Sequence, residues 1–341
     1  MDWFATRLLG WYDIHGRRNL PWQIDRTPYR VWVSEIMLQQ TQVTTVIPYF
    51  VRFMDRFPNI ATLAQADLDD VLHHWTGLGY YARGRNLHAA ARIVVDAHGS
   101  ELPSTFAALL ALPGIGRSTA GAILSSAFGI RAPILDGNAK RALSRFHAEG
   151  DVDELWRHAD AHTPDERIGD YTQAIMDLGA TVCVRSRPLC PLCPVAERCA
   201  ARIAAAVDRY PPKKQRREMP VKTARMFVIV DPDGRYLLER RPTNGLWGGL
   251  WGPLERSTET RVINVLSEIG VSEATVESVE ELASFRHTFT HFHLDIAPVR
   301  VVLDRRVSGV RDDDRLRWHH PDDDKPLGLF APAVRLLEVP A

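Results

Sequence analysis

The stretch from Leu112 to Arg141, LPGIGRSTAGAILSSAFGIRAPILDGNAKR, constrains the fold of this chain most strongly. It begins with a turn in which Gly114 and Gly116 are one residue apart. Glycine adopts positive φ angles without steric cost, so such a turn can point successive backbone N–H groups at one anion. A helical pattern follows at once, and a helix N-terminus carries partial positive charge. The stretch predicts either a phosphate-binding turn or a plain connection between two helices, with Asp136 close behind it.

The first 200 residues show helical apolar periodicity in segment after segment, and no stretch between the segments alternates as a strand would. We therefore predict an all-α domain over residues 1–207. Its helices are expected at 3–14, 31–38, 43–57, 68–75, 87–97, 104–110, 118–127, 137–146, 154–162 and 170–182.

The pattern changes after a basic, proline-rich stretch, DRYPPKKQRREMPVK at 208–222, which predicts a linker. The linker is either a solvated tether or a contact to a phosphate backbone. Residues 226–240 then predict a β-hairpin around Asp231-Pro232-Asp233-Gly234. A helix is expected at 261–269 and a strand at 292–303, so residues 223–341 are predicted to form a smaller α+β domain.

Charge and hydropathy exclude few function classes. Residues 1–222 carry 27 Lys and Arg against 23 Asp and Glu, a balance of +4, and residues 223–341 carry 15 against 19, a balance of −4. This offset permits DNA binding by the first part without demonstrating it. No apolar run approaches the roughly 18 residues of a membrane span, and the N-terminus lacks the pattern of a secretory signal. We expect a cytoplasmic protein.

All four cysteines fall within the 17 residues from Cys183 to Cys199, in the spacing C-x6-C-x2-C-x5-C. A cytoplasmic chain does not keep such a cluster as disulfides. Four thiolates in one loop suit either tetrahedral zinc or a 4Fe–4S cluster. Zinc sites more often show two Cys-x2-Cys pairs, and only one is present here, which favours the cluster.

Glu35 is the sole acid of a predicted apolar helix, and the three residues after it are all apolar. It is either a solvated glutamate or a desolvated one, whose raised pKa would keep it protonated near neutral pH. With Asp136 it would form a pair in which one carboxyl group donates a proton and the other stabilises positive charge at a sugar carbon. Glycoside hydrolysis divides its labour in this way.

These motifs resemble those of the endonuclease III superfamily of helix-hairpin-helix DNA glycosylases. Within that superfamily, residues 20–22, 35–42 and 75–83 are similar to the MutY family of adenine DNA glycosylases. The resemblance implies a base excision repair enzyme that hydrolyses the N-glycosidic bond of adenine opposite 8-oxoguanine or guanine. It also implies a 4Fe–4S cluster held by Cys183, Cys190, Cys193 and Cys199.

The resemblance further implies roles for single residues. Glu35 would protonate adenine at N7, Asp136 would stabilise or covalently trap the deoxyribosyl cation, and Asn138 would orient the acids. Gln40 and Tyr80 would insert into the duplex where the target base is flipped out, while Gly114 and Gly116 would hold phosphate. The alternative for Tyr80 is an aromatic ring packed on the Gly77–Gly79 turn.

Ser118 stands where strand-nicking members of the superfamily carry a lysine that forms a Schiff base. A hydroxyl cannot form an imine, so the resemblance implies a monofunctional glycosylase that leaves an abasic site. Ser118 is kept among the candidate catalytic residues, with helix capping as the alternative.

The second domain resembles Nudix hydrolases in the loop GLWGGLW at 245–251. The helix that follows has Glu268 but neither the Arg-Glu nor the Glu-Glu pair that would hold magnesium, so we expect a Nudix-like fold without the hydrolase activity. Phe289, Thr290 and His291 resemble the Phe-Ser-His trio with which the MutY family recognises 8-oxoguanine. The alternative is a packed β surface.

The expected fold is thus multidomain, an all-α glycosylase domain followed by a Nudix-like α+β domain. Expected partners are double-stranded DNA with A:8-oxoguanine or A:G mispairs and downstream repair proteins, and no membrane. We expect a monomer in a cytoplasmic, nucleoid-associated and bacterial-like setting. Two alternatives stay open at this point, an endonuclease III-like pyrimidine glycosylase/lyase and a non-catalytic DNA-damage binding protein.

Overall fold

A computed structural model describes residues 1–212, 218–307, 315–323 and 327–337 of the chain. The chain divides into two compact units, Met1–Gln65 with Asn86–Gln215, and Ala66–Arg85 with Arg216–Ala341. The second unit therefore contains residues 66–85, which the sequence assigned to the first domain. Of the predicted linker, residues 213–217 lie outside the described part, and a strand begins at Val221.

Helices make up the first unit, and each predicted helical segment of residues 1–207 is helical in the structure. In chain order the helices of this part of the chain are α1 Trp3–His15, α2 Pro21–Ile24, α3 Pro28–Leu38, α4 Val43–Arg56, α5 Ile60–Gln65, α6 Leu68–Trp75, α7 Ala82–His98, α8 Phe106–Leu110, α9 Arg117–Phe128, α10 Gly137–His147, α11 Val152–His162, α12 Ile168–Asp177 and α13 Ala200–Ile203. The short α2, α5 and α13 were not predicted, because a helix of four to six residues is too short to show an apolar period.

One core holds α1, α10 and α12 together. Phe4, Leu8 and Tyr12 of α1 are fully buried against apolar residues of the other two helices. Helix α9 reaches the loop before α10 because Gly121 has no side chain. A Cβ at that position would lie 2.4 Å from the carbonyl oxygen of Pro133. This close approach places the start of α9 beside the start of α10, where the candidate carboxyl group lies.

An eight-stranded mixed sheet forms the second unit, with β1 Val221–Val230, β2 Tyr236–Arg240, β3 Trp251–Gly252, β4 Leu254–Arg256, β5 Val276–Glu281, β6 Phe285–Thr288, β7 His293–Leu303 and β8 Leu316–His319. The predicted β1–β2 hairpin is confirmed, with Ile229 opposite Leu237. The long β1 and β7 pair in parallel at the centre, and the apolar face of the sheet packs on α14, Val262–Glu268. Helix α15, Ala331–Leu337, ends the described part.

Within the described residues, no helix combines the length and the apolar character that a membrane span requires.

Candidate active site

Glu35 and Asp136, far apart in the sequence, act on each other electrostatically in the first unit. Glu35 lies on α3, whose neighbouring residues Ile36 and Met37 are fully buried. Burial, together with the smaller effect of the nearby Asp136 carboxyl group, raises the pKa of Glu35 to about 8. A carboxyl group with such a pKa is protonated at neutral pH, as a general acid must be.

Asp136 is the N-cap of α10, and its Oδ1 accepts the N–H of Ala139 at 2.7 Å. Burial raises its pKa, while the backbone N–H groups of Ala139 and Asn138, the Arg141 guanidinium and the Asn138 side chain act in the opposite direction. The net shift of the Asp136 pKa is upward, but these donors favour its charged form. For Glu35 the structure shows only influences that favour the neutral form. The two carboxyl groups therefore differ in environment, and Glu35 is the one suited to be the acid.

Asn138 is held in place by Arg141. The Arg141 guanidinium donates to Asn138 Oδ1 at 2.8 Å, to the Gly179 carbonyl at 2.6 Å and to the Cys183 carbonyl at 2.7 Å. This contact requires a glycine at 179, since a Cβ there would lie 2.5 Å from the Asn138 Cβ. The Asn138 side chain is thus fixed beside Asp136, as expected of an orienting residue.

Ser118 is the second residue of α9, and its hydroxyl accepts the N–H of Leu135 at 3.1 Å. The N-cap of α9 is Gly116, and no side chain bonds at that cap. The alternative that Ser118 caps the helix is therefore wrong, because the cap lies two residues earlier and the hydroxyl is bonded elsewhere. Ser118 instead holds the backbone directly before Asp136.

The glycine turn before α9 has the backbone that the sequence predicts. Gly114 has φ +81°, and a Cβ there would meet the Asn86 side chain at 2.9 Å. Gln39 donates to the Gly114 carbonyl oxygen and to the Thr119 hydroxyl, both at 3.3 Å. Gly114 and Gly116 are exposed at the N-terminus of a 12-residue helix. Their N–H groups can therefore reach a phosphate.

Arg117, the first residue of α9, is a candidate DNA contact that the sequence did not point to. Its guanidinium lies 3.8 Å from the centre of the Trp156 ring, and its side chain is exposed. An arginine stacked on an aromatic ring keeps its donors available for a phosphate. Residue spacing cannot reveal this pair, because Trp156 belongs to α11.

The two residues predicted to insert into the duplex lie in different units, Gln40 in the first and Tyr80 in the second. Both are exposed and both have a left-handed backbone, with φ 58° at Gln40 and 49° at Tyr80. Tyr80 is 44% exposed, and the alternative that its ring packs on the Gly77–Gly79 turn stays open. The following residue, Tyr81, contacts that turn, since its hydroxyl accepts the N–H of Gly77.

The four cysteines line one cavity of about 400 Å³, which includes space open to solvent. All four are free thiols. Arg145 of α10 is buried and binds the loop, donating to Val184 O at 2.7 Å and to the Cys183 Sγ at 3.4 Å. Among the residues described, no group of three or more His, Cys, Asp or Glu side chains is arranged around a single metal ion.

Phe289, Thr290 and His291, here called the recognition loop, connect β6 to β7 in the second unit. Phe289 stacks on Phe292 with ring centres 4.5 Å apart and lies 5.4 Å from Trp247. Thr290 and His291 are exposed, with 3.4 Å between the Thr290 hydroxyl and His291 Nδ1. The aromatic residue thus anchors the loop, and the two polar residues are available to a ligand.

Comparisons with known proteins bear on both units. Residues 33–159 match the family model of the HhH-GPD superfamily base excision DNA repair protein, and residues 225–339 match that of the NUDIX domain. The chain is 36% identical to the adenine DNA glycosylase of Buchnera aphidicola subsp. Acyrthosiphon pisum (strain APS), over 98% of this chain and 97% of that one. It is 34% identical to the human adenine DNA glycosylase, over 92% of this chain and 70% of that one.

The chain belongs to the adenine DNA glycosylase family. It is therefore an N-glycosylase of base excision repair, with a helix-hairpin-helix glycosylase domain and a Nudix-like domain. A thermostable thymine-DNA glycosylase has a similar structure, with a TM-score of 0.55 and 25% identity over 59% of this chain and 95% of that one. An endonuclease III–DNA complex shares the fold, with a TM-score of 0.53 and 20% identity over 60% of this chain and 95% of that one.

In this member of the adenine DNA glycosylase family, two acids of the second unit, Glu268 of α14 and Glu239 of β2, are paired with arginines. Arg256 donates to Glu268 at 2.6 Å and to Glu239 at 2.8 Å, and the guanidinium of Arg315 also contacts Glu239. Carboxylates held in this way are already neutralised. The pairing accords with the prediction of a Nudix-like fold without hydrolase activity, which stays a prediction.

Proposed function

We propose that this chain is a monofunctional glycosylase that removes adenine opposite 8-oxoguanine or guanine from duplex DNA. The observation that carries the proposal is the electrostatic pairing of a half-buried Glu35, with its pKa raised to about 8, and Asp136 at the N-terminus of α10. The identity to curated adenine DNA glycosylases over most of the chain supports adenine as the substrate base.

Glu35 supplies the proton. At neutral pH its carboxyl group is neutral and donates to N7 of the flipped adenine as the bond between C1′ and N9 breaks. The electron pair of that bond leaves with the base. Adenine therefore leaves as a neutral base that carries the proton, while Glu35 is left as a carboxylate and the sugar carries a positive charge.

Asp136 stabilises that positive charge at C1′. Its carboxylate is aligned by the Ala139 N–H and the Asn138 side chain and faces the sugar as an electrostatic partner or a transient nucleophile. Water then adds to C1′ and gives up a proton, which restores the carboxyl pair. The product is an abasic site in an intact strand, because Ser118 offers no amine for strand cleavage.

The second unit supplies the preference for the opposite base. The Thr290 hydroxyl can donate or accept a hydrogen bond with an oxidised guanine, and His291 lies beside it. Gln40 and Tyr80 occupy the space vacated by the flipped base. The Gly114 and Gly116 N–H groups hold phosphate at the start of α9.

The four cysteines are the donor set for a 4Fe–4S cluster. Their thiols surround one cavity, and buried Arg145 places positive charge beside Cys183 Sγ, which suits a set of thiolates. The cluster would hold the loop folded and takes no part in bond cleavage, since glycosidic cleavage needs no redox step. Cys193→Ser should lower the iron content of the purified protein, while Ser186→Ala, an exposed residue in the same loop, should leave it unchanged. Bound zinc in place of iron would contradict the assignment.

A cytoplasmic, nucleoid-associated location belongs to this proposal, since the proposed substrate is DNA.

The function is tested with duplexes that carry adenine opposite 8-oxoguanine, guanine or thymine. We expect release of free adenine, fastest opposite 8-oxoguanine and slowest opposite thymine, with an intact strand until alkali is added. Release of an oxidised pyrimidine, or efficient borohydride trapping of the protein on DNA, would favour the endonuclease III-like alternative. Tight binding without any base release would favour the non-catalytic one.

A further inference from the structure

Residues 66–85, here called the wedge segment, contain α6 and the turn that carries Tyr80. They belong to the same compact unit as the recognition loop, although the loop lies more than 200 residues later in the chain. Contacts with the rest of this unit hold both α6 and the turn that follows it.

Helix α6 is fastened by polar and steric contacts. Trp251 donates its ring N–H to Asp69 Oδ1 at 3.2 Å, and the Arg240 guanidinium lies 3.6 Å from the same oxygen. Gly328 packs directly on the helix, since a Cβ there would lie 2.5 Å from the Leu72 Cβ. The helix therefore cannot shift toward residue 328 without a clash.

The Tyr81 hydroxyl fastens the turn after α6. It accepts the N–H of Gly77 at 3.2 Å and donates to the carbonyl of Leu329 at 3.3 Å. The side chain of Arg85 donates to the Gly248 carbonyl at 2.6 Å. Tyr81 is only 7% exposed, against 44% for its neighbour Tyr80. The left-handed backbone of Tyr80 costs energy for a non-glycine residue, so the surrounding structure must hold it.

A continuous series of contacts connects this turn to the recognition loop. Leu329, which accepts the Tyr81 hydroxyl, is followed by Phe330, which stacks on Trp247 with ring centres 4.2 Å apart and planes 7° apart. Trp247 lies 5.4 Å from Phe289 of the recognition loop, and the Gly248 that follows it accepts from Arg85. Phe330 is fully buried, so this series is part of a packed core.

We propose that the opposite base controls insertion of Tyr80 through this series of contacts, with Tyr81 as a positioning residue. The inference rests on the proposed function. It adds that the opposite base affects the step in which the duplex opens and the target adenine leaves the stack. A loop that closes on 8-oxoguanine would favour the position of Trp247 and Phe330 that holds the turn and Tyr80 in place. The test measures this coupling directly, by combining substitutions at Tyr80 and Tyr81.

Tyr81→Phe removes both hydroxyl contacts and keeps the ring. Tyr236→Phe is the matched control, because that hydroxyl also donates to a carbonyl, Leu337 O at 3.2 Å, in the same unit and away from the wedge segment. The rate of adenine release opposite 8-oxoguanine and opposite guanine is measured for each variant and for the protein without the substitution. Opening is followed separately by the fluorescence of 2-aminopurine placed at the target adenine, which rises when the base leaves the stack.

We expect Tyr81→Phe to reduce the preference for 8-oxoguanine about fivefold, the effect of one net hydrogen bond, and to reduce the fluorescence rise for that duplex. The thermal unfolding of both Tyr→Phe variants should be similar. In a Tyr80→Ala background, Tyr81→Phe should have no further effect, since it acts through the residue already removed. Gly328→Ala, which forces α6 away from residue 328, should act in the same direction, while Gly10→Ala, with open space around it, should not.

An unchanged preference and fluorescence in Tyr81→Phe, or equal losses in Tyr236→Phe, would overturn the inference. So would additive effects of Tyr80→Ala and Tyr81→Phe. The fluorescence measurement does not depend on base release. A wild-type protein that opens the duplex in response to the opposite base but releases no adenine would therefore contradict the proposed function and leave the inference standing.

Discussion

The carboxyl pair of the first unit and the recognition loop of the second unit differ in their exposure to water. Glu35 is desolvated among buried side chains of α3, and this burial raises its pKa to about 8. Thr290 and His291 are exposed on a short loop. A general acid gains its protonation state by leaving water, whereas a base-recognition group has to stay accessible to the base. The proposed function therefore places chemistry and recognition on separate units.

The two regions are also held in different ways. A helix cap and the Arg141–Asn138 contact orient Asp136, so its geometry follows from backbone structure. Aromatic stacking of Phe289 on Phe292 and its contact with Trp247 anchor the recognition loop. A change at the first region should lower the rate for every opposite base equally. A change at the second should alter the ratio between opposite bases.

Glu35→Gln should have the largest effect, because it removes the proton donor and keeps the shape. We expect adenine release to fall by about 10²–10⁴-fold opposite 8-oxoguanine and guanine alike, with DNA binding retained. The assay is single-turnover base release. Glu101→Gln, an exposed glutamate of the same unit, should behave as the wild type. A wild-type rate in Glu35→Gln would remove the proposed mechanism.

The pH dependence comes next in size. Glu35 has its pKa raised from 4.5 to about 8, so the active, protonated form is lost as the pH rises through 8. The rate should fall about tenfold per pH unit above that value, in parallel for both opposite bases. The stability that this neutral carboxyl group contributes is complete below its unfolded pKa and is also lost as the pH rises through 8. A rate that stays level up to pH 10 would separate Glu35 from the proton transfer.

Thr290→Val should lower the ratio of the rates of adenine release opposite 8-oxoguanine and opposite guanine, and leave the rate opposite guanine unaltered. The substitution keeps the shape and removes the hydroxyl, so the preference for 8-oxoguanine should fall about fivefold. Competition between the two duplexes measures the ratio directly. Thr223→Val, at an exposed position of β1, is the control for the same change elsewhere in the unit. An equal loss of rate on both duplexes would mean that the loop supports the chemistry and not the recognition.

Ser118→Ala should have the smallest effect. It should lower the rate of adenine release without changing the preference between opposite bases. It leaves the N–H of Leu135 without its hydroxyl partner, so the backbone before Asp136 is less well held and the rate should fall about threefold for both duplexes. Ser126→Ala on the same helix is the control. Single-turnover rates at saturating protein distinguish this loss from weaker DNA binding. A changed ratio between opposite bases would break the separation of the two regions.

Much of the fold could be predicted because local patterns encode it. The helical period of residues 3–14 or 137–146 and the turn at 231–234 need no distant partner to be recognised. The sequence also pointed to Glu35, because a lone acid in an apolar helix is unusual. It did not point to Arg117, whose stacking on Trp156 depends on the packing of α9 against α11. For the same reason it offered helix capping as the alternative role of Ser118, although the hydroxyl contacts Leu135.

The sequence by itself determined the long helices of residues 1–207, the β1–β2 hairpin, the glycine turn before α9, the clustering of the cysteines and the absence of a lysine at position 118. The tertiary structure decided that Asp136 lies near enough to raise the pKa of Glu35, that Arg141 orients Asn138, and that residues 66–85 belong with the second unit. Periodicity and turn chemistry act over a few residues and are written directly in the chain. Contacts such as Tyr81 to Leu329 arise only when distant segments pack, and packing depends on the whole set of side chains at once.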